Sequence, residues 1–123
     1  VSVQTITGQL WHIDTATKAV NEITLEQPLT GGDGLVLDGT TLYVIQNSLK
    51  QISVLQLSDD YSSATLSNTI QDANFKFPTT AVLYDGELFV VNAQLDKQKT
   101  NSPVLPFYIA RVSLNQQAAQ VAE

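Results

Sequence analysis

Residues 35–45 read LVLDGTTLYVI, and residues 81–91, which lie 46 positions further along the chain, read AVLYDGELFVV. In each stretch an apolar run precedes an Asp-Gly pair, at residues 38–39 and 85–86, and a second apolar run follows it. Asp-Gly supplies the positive-φ residue that a tight turn between antiparallel strands requires. Each stretch therefore predicts a β-hairpin, and the gap-free match of their apolar runs predicts an internal repeat.

The repeat continues on both sides of these hairpins. Residues 10–13, 54–57 and 109–112 are similar apolar-rich tetrapeptides, separated by 44 and 55 residues. The longer second spacing predicts an insertion within residues 94–106, a polar segment that contains proline. A period of about 45 residues with four strands per unit is typical of a β-propeller blade.

We predict an all-β fold in which one domain, residues 1–123, forms about two and a half four-stranded blades of a β-propeller. Residues 1–30 are a partial blade, residues 31–76 a full blade, and residues 77–123 a full blade with the loop insertion 94–106. A β-sandwich of about eleven short strands would give the same strand and turn signals and is the alternative fold. Within each blade the strands are given from the central channel outward. The partial blade has predicted strands at 1–6, 9–14 and 19–25. The first full blade has them at 34–38, 41–47, 51–58 and 64–71, and the second full blade at 79–84, 87–93, 107–114 and 118–121.

Such an arc would be incomplete by itself, because propellers close with about 4–8 blades. Its two end faces would leave more apolar surface in water than a soluble monomer normally exposes. We therefore expect partners that supply the remaining blades, either another fragment of the same protein or further copies of this chain. The sequence contains no Met, so we also expect a processed chain or a piece of a longer protein.

The composition excludes several classes of partner and mechanism. Lys and Arg number 6 against 12 Asp and Glu, for a net charge of −6. Nucleic acids and anionic membranes are bound by clustered cations, and the cations here are scattered, so we expect neither partner. The absence of Cys excludes disulfides and Cys nucleophiles. The absence of a Gly-x-Ser-x-Gly elbow excludes an α/β-hydrolase triad.

Residues 32–47, GDGLVLDGTTLYVIQN, resemble the propellers of the senescence-marker-protein / gluconolactonase superfamily. Residues 77–82, FPTTAV, and residues 88–93, LFVVNA, are similar to a poorly characterised, mostly secreted bacterial and fungal branch of that superfamily. The resemblance covers residues 31–114. Because its members are six-bladed, it implies that this chain is the C-terminal portion of a secreted six-bladed propeller.

The resemblance also implies a metal ligand. In gluconolactonase-type enzymes an Asp in a Pro-Asp-Gly motif ahead of an inner strand binds the catalytic divalent cation. Asp33 stands at that position, with Gly32 in place of the Pro. The implied cofactor is Ca²⁺ or another divalent cation, and its other ligands, a Glu and an Asn, would come from blades outside this chain. A plain turn or capping role is the alternative for Asp33.

Strand parity predicts that the polar loop residues suited to ligand binding lie on one rim of the molecule. In a meander, the loop before the first strand and the loop between the second and third strands emerge on the same side. That rim would carry Asp33, Thr79 and Thr80 from the first kind of loop and Asn47 and Asn92 from the second. We predict Asn47, Thr79, Thr80 and Asn92 as ligand-binding residues. The alternative for these four residues is hydrogen bonding to the loop backbone.

These features favour a secreted propeller with a small-molecule site at its channel mouth, and within that class a divalent-metal-dependent lactonase or esterase. There the ion would polarise the scissile carbonyl as a Lewis acid. The alternative is a non-catalytic propeller that binds protein or carbohydrate. No catalytic residue is predicted: the one histidine, His12, is expected on an outer strand as a surface residue.

Overall fold

The computed structural model describes residues 1–115 of the chain. Strands account for 51% of these residues, which confirms the all-β prediction. The last predicted strand, at 118–121, lies outside the described residues. Within residues 1–115 the strands are β1 (Ser2–Val3), β2 (Leu10–Ile13), β3 (Val20–Leu25), β4 (Gly32–Asp38), β5 (Thr41–Gln46), β6 (Gln51–Leu57), β7 (Ser63–Gln71), β8 (Pro78–Tyr84), β9 (Glu87–Asn92) and β10 (Ile109–Ser113).

The strands form three consecutive antiparallel meanders. The first meander is β1–β3, the second is β4–β7 and the third is β8–β10, and in each of them strands pair in the order in which they occur along the chain. Each predicted strand within the described residues has an observed counterpart. The largest differences are at 1–6, where only Ser2–Val3 is extended, and at 107–114, where the strand is Ile109–Ser113.

The first two meanders join into one barrel-like sheet of seven strands. Strands β3 and β7 pair in parallel at Thr24–Ser63 and Leu25–Ala64, so the order is β1-β2-β3-β7-β6-β5-β4. The sheet is nearly closed, and Val3 of the first edge strand lies against Gly32 of the other. The third meander is a separate three-stranded sheet.

The structure has two apolar cores, one between the first and second meanders and one between the second and third. Strand β5 contributes to both. Its residues Leu42 and Val44 point into the core shared with the first meander, together with Leu10 and Ile23. Its residues Tyr43 and Ile45 point into the core shared with the third meander. Alternation of side chains along an extended strand places neighbouring residues on opposite faces. The second meander is therefore covered on both faces by its neighbours.

The strand register confirms the 46-residue repeat of the hairpins and corrects the repeat of the outer strands. Leu42 pairs with Leu55, whereas Leu88, its counterpart 46 residues later, pairs with Val112. Val112 therefore occupies the place of Leu55, which makes the spacing 57, and the predicted spacing of 55 is wrong. A slip of two residues leaves every side chain on the same face, so the apolar pattern by itself could not detect it.

Candidate functional site

Both first strands of the repeat begin with a β-bulge at the same position. In β4 one extra residue lies between the pairs Gly32–Gln46 and Leu35–Val44. In β8 one extra residue lies between Pro78–Asn92 and Thr80–Val91. A bulge bends a strand and redirects its side chains, and bulges are over-represented next to active sites. The bulged segments hold three of the predicted site residues, which are Asp33, Thr79 and Thr80.

The two bulged segments lie directly against each other, because Gly34 has no side chain. A Cβ built on Gly34 would be 2.6 Å from the carbonyl oxygen of Thr79, and also 2.6 Å from Cα and Oγ1 of Thr80. Only glycine allows this close approach of two backbones. The structure thus places Gly34, the neighbour of Asp33, against Thr79 and Thr80, which lie 45 and 46 residues further along the chain.

Asn47 completes this group from the loop after β5. Its Nδ2 donates to Oδ2 of Asp33 over 3.4 Å, and its Oδ1 accepts from the backbone N–H of Ser48 over 2.6 Å. Asp33 is exposed and Asn47 is half-buried. We define the Asp33 rim as Asp33, Asn47, Thr79 and Thr80.

Asn92 is not part of this rim. Its side chain is 2% exposed. Its Oδ1 accepts from the backbone N–H of Lys76 over 2.8 Å, and its Nδ2 donates to the carbonyl oxygen of Asn74 over 2.9 Å. The amide therefore braces the segment that leads into β8. This is the backbone-bonding role that the sequence left open for Asn92.

Gln46, which is not among the predicted ligand-binding residues, has the corresponding role in the second meander. Its Nε2 donates to the carbonyl oxygen of Thr30 over 2.8 Å, and its Oε1 accepts from Oγ of Ser53 over 2.6 Å and from Nε2 of Gln51 over 2.9 Å. The repeat is the sequence signal that could have indicated this role, because Gln46 and Asn92 lie 46 residues apart and both carry a side-chain amide.

A third buried amide anchors the 94–106 insertion. Gln94, 4% exposed, accepts from the N–H of Val104 over 2.8 Å and donates to its carbonyl oxygen over 2.9 Å. After the insertion, Tyr108 donates to the carbonyl oxygen of Asn74 over 3.3 Å, and Nζ of Lys76 lies 5.2 Å from its ring centroid. Hydrogen bonds therefore hold the two ends of the insertion together, and the residues after it contact the segment that leads into β8.

His12 lies on β2 and stacks on Tyr61, with ring centroids 5.1 Å apart. It is half-buried, and this stack joins the first meander to the turn after β6. Nothing in the geometry brings His12 to the Asp33 rim.

A cavity of about 270 Å³ lies between residues 25–29 and the second meander. Leu29, Leu49 and Leu55 are among its lining residues, and Gln46 and Ser53 contribute polar groups. Those two polar groups already bond to each other. Asp33 does not line this cavity, so the sequence-predicted site and the cavity are different places.

The Asp33 rim offers only part of the ligand set that a Ca²⁺ ion takes. Among residues 1–115 there is no group of three or more His, Cys, Asp or Glu side chains placed to hold a metal ion. Ca²⁺ takes 6–8 oxygen ligands in proteins, and the rim offers one carboxylate, one amide and two hydroxyls. The described residues would therefore supply only part of the ligand set, as the resemblance implies, and the other ligands would come from outside them.

Comparisons with protein-family models, with curated proteins and with solved structures give no significant match. No helix in the described part of the chain has the length and apolar character to cross a membrane.

Proposed function

We propose that this chain is a segment of a secreted six-bladed β-propeller that binds a small molecule at the mouth of its channel. The support for the propeller is the repeat of whole meanders, in which the hairpins, the initial bulge and the bracing amide recur with a spacing of 46 residues. A β-sandwich requires no such recurrence. The remaining blades are the expected partners, and neither nucleic acid nor a membrane is.

The observation that carries the binding proposal is the contact of two bulged first strands at Gly34. It places the strand start that carries the exposed Asp33 carboxylate, with the Asn47 amide beside it, against the strand start that carries the Thr79 and Thr80 hydroxyls. Loops and strand ends on a rigid scaffold are where binding residues concentrate. In a closed ring the same rim would gather equivalent loops from every blade.

Within this proposal, the ring is a divalent-metal-dependent lactonase or esterase. Asp33 would supply one oxygen ligand, and the remaining ligands would come from blades outside this chain. A bound divalent ion supplies Lewis-acid polarisation of a carbonyl. The part that this chain plays is to hold the Asp33 carboxylate in place, through the bulge, Gly34 and the Asn47 amide.

A non-catalytic propeller that binds protein or carbohydrate is the second candidate, favoured by the exposed surface at the end of the insertion and in the residues directly after it. Leu105 is 70% exposed and Phe107 is 55% exposed, next to Tyr108. Exposed aromatic rings combine a large apolar area with defined geometry, and aromatic residues are enriched at binding interfaces. If this candidate is correct, binding depends on Leu105, Phe107 and Tyr108 and not on Asp33.

Calorimetric titration of the intact propeller with Ca²⁺ tests the leading proposal. We expect the wild type to bind Ca²⁺ and Asp33→Asn to bind it at least about tenfold more weakly, since one charged ligand is removed. Asp38→Asn is the matched control, because Asp38 is an exposed turn residue at the other end of β4. Absence of Ca²⁺ binding by the wild type would remove the lactonase and leave the binding scaffold.

A further inference from the structure

The cavity of about 270 Å³ lies where the seven-stranded sheet opens between the first two meanders. Strand β3 pairs with β7 at only two residue pairs, and Leu29 then bonds to Gly8 instead, so the segment 25–29 diverges from β7. This segment forms one wall of the cavity, and residues of the second meander form the other. All lining residues lie within residues 25–69, and neither edge strand of the sheet, β1 or β4, contributes one. We call this space the barrel-mouth cavity.

The wall that the second meander supplies changes from apolar to polar along its strands. Cross-strand pairs that line the cavity form three successive rows, which are Leu55–Leu66, Ser53–Thr69 and Gln51–Gln46. Residues two apart on a strand share a face, so these rows lie side by side on one surface. A molecule placed along this wall meets leucine side chains at one end and hydroxyl and amide groups at the other.

The polar rows retain hydrogen-bonding capacity for a ligand. Nε2 of Gln51 donates to Oε1 of Gln46 over 2.9 Å, and a side-chain amide nitrogen carries a second N–H. Oγ of Ser53 donates to the same oxygen over 2.6 Å and keeps its two acceptor lone pairs. The cavity wall can therefore donate to a ligand from an amide and accept from it at a hydroxyl.

Access and charge narrow the class of ligand. Leu49 and Leu66, which line the cavity, are 51% and 53% exposed, so the cavity opens to solvent on their side. Among the described lining residues Glu26 is the one ionisable group, and none is a cation. An anionic ligand would therefore lose its hydration without gaining a counter-ion, which is costly.

At the next junction, between the second and third meanders, an aromatic ring spans the equivalent gap. The spacing of 57 in the outer strands equates Gln51 with Tyr108, and the spacing of 46 equates Pro28 with Asn74. Tyr108 donates to the carbonyl oxygen of Asn74 over 3.3 Å. Gln51 and Pro28 instead stand on the two walls of the cavity. The space is therefore left open where a glutamine replaces the tyrosine.

Two other equivalent positions differ in the same sense. The spacing of 46 equates Leu29 with Phe75, and the spacing of 57 equates Ser53 with Ala110. All four residues are 3–5% exposed, so they are interior positions of their junctions. Leu29 is smaller than Phe75, and Ser53 is more polar than Ala110. Packing alone does not favour these changes, because lost side-chain volume in a core destabilises the fold.

We propose that the barrel-mouth cavity binds a small, uncharged amphipathic molecule, an aliphatic chain that ends in a hydroxyl or an amide. The chain lies against Leu29, Leu55 and Leu66, and its polar end bonds to Gln51 and Ser53. A chain of about eight carbons suits the volume, since a cavity of about 150 Å³ already holds benzene. The site does not include the Asp33 rim, so binding here is independent of the function proposed above.

An NMR titration of the intact protein with octanol, followed at isotope-labelled Leu methyl groups, tests the proposal. We expect the methyl signals of Leu29 and Leu55 to shift and to saturate as octanol is added. Octanoate has a chain of the same length with an anionic end. It should bind at least about tenfold more weakly than octanol, because the lining offers its carboxylate no cation.

Variants that copy the next junction locate the binding. Gln51→Tyr introduces the residue of the equivalent position, and its ring should fill the cavity and abolish the shifts. Gln56→Tyr is the matched control, because it makes the same change at an exposed residue on the opposite face of β6, and it should bind octanol like the wild type. Ser53→Ala should weaken octanol binding about three- to tenfold, the effect of one neutral hydrogen bond. Circular dichroism verifies that each variant is folded.

The absence of a saturable shift at Leu29 and Leu55 in the wild type would overturn the proposal, and so would unchanged binding by Gln51→Tyr and Ser53→Ala. Tighter binding of octanoate or octylammonium than of octanol would overturn the uncharged class of ligand. Asp33→Asn should bind octanol like the wild type. The octanol and Ca²⁺ titrations therefore test separate sites, and either proposal can fail while the other stands.

Discussion

Gln46 and Asn92 occupy the same position in successive meanders, and each donates from a buried amide to a backbone carbonyl in the segment that leads into the adjacent first strand. Gln46 is 3% exposed and Asn92 is 2% exposed. The pair shows that the repeat preserves a polar brace as well as an apolar pattern. Each brace supports the strand start that carries a bulge, so it positions the Asp33 rim without belonging to it.

Asn92→Ala should destabilise the fold by about 1–3 kcal/mol, because the part-buried N–H of Lys76 would lose its acceptor and the carbonyl oxygen of Asn74 its donor. Urea unfolding of the variant against the wild type measures the change. Asn21→Ala is the matched control, since Asn21 is exposed on β3, and it should change stability by less than about 0.5 kcal/mol. Equal stability of the Asn92 variant and the wild type would contradict the bracing role.

Gly34→Ala should separate β4 from β8, because its Cβ would lie 2.6 Å from backbone atoms of Thr79 and Thr80. Forced overpacking of this kind costs about 1–3 kcal/mol. Gly39→Asn is the control. Gly39 is a turn glycine with φ 58 and open space around it, and Asn tolerates that conformation. Urea midpoints should fall for the first variant and stay nearly constant for the second.

Two turns should lose stability as pH falls. The hydroxyls of Ser62 and Ser58 donate to Asp60 and lower the pKa of its carboxyl to about 2. Backbone N–H groups of Thr17 and Ala16 likewise lower the pKa of Asp14. The carboxyl of an Asp in the unfolded chain has a pKa of about 3.9. The stabilisation by Asp60 is therefore present above about pH 4 and is lost as pH falls toward about 2.

The checking measurement is the urea midpoint between pH 5 and pH 2. Asp60→Asn should be less stable than the wild type at pH 5, and should show a smaller fall in midpoint as the solution is acidified. For Ser62→Ala, the urea midpoint at pH 5 and its fall on acidification should both lie between those of the wild type and of Asp60→Asn. An acid dependence identical in all three proteins would show that this turn contributes nothing.

Gln94→Ala should release the base of the insertion. Both hydrogen bonds from Gln94 to the backbone of Val104 would be lost. Hydrogen exchange of the Val104 N–H should become about tenfold faster, which corresponds to about 1.4 kcal/mol. Gln98→Ala, an exposed residue of the same insertion, should leave that rate unchanged. A similar acceleration in both variants would mean that Gln94 has no special role.

The strands and hairpins were predictable because local signals define them. Alternating apolar residues indicate extended segments, and Asp-Gly turns indicate where strands reverse. The contact of Asp33 with Asn47 follows from strand parity, which places their loops at one edge. The backbone-bonding role of Asn92 was one of the two alternatives that the sequence left open. The roles of Gln46 and Gln94 were not predicted, because a buried amide and an exposed one look the same in a sequence.

The amino-acid sequence by itself determined the all-β class, the positions of the strands and the 46-residue repeat, since these depend on side-chain period and turn chemistry within a few residues. Only the tertiary structure decided the spacing of 57 in the outer strands, the parallel pairing of β3 with β7, and the approach of Gly34 to Thr79 and Thr80. Those features depend on which distant backbones meet, and a slip of two residues leaves the apolar pattern unchanged.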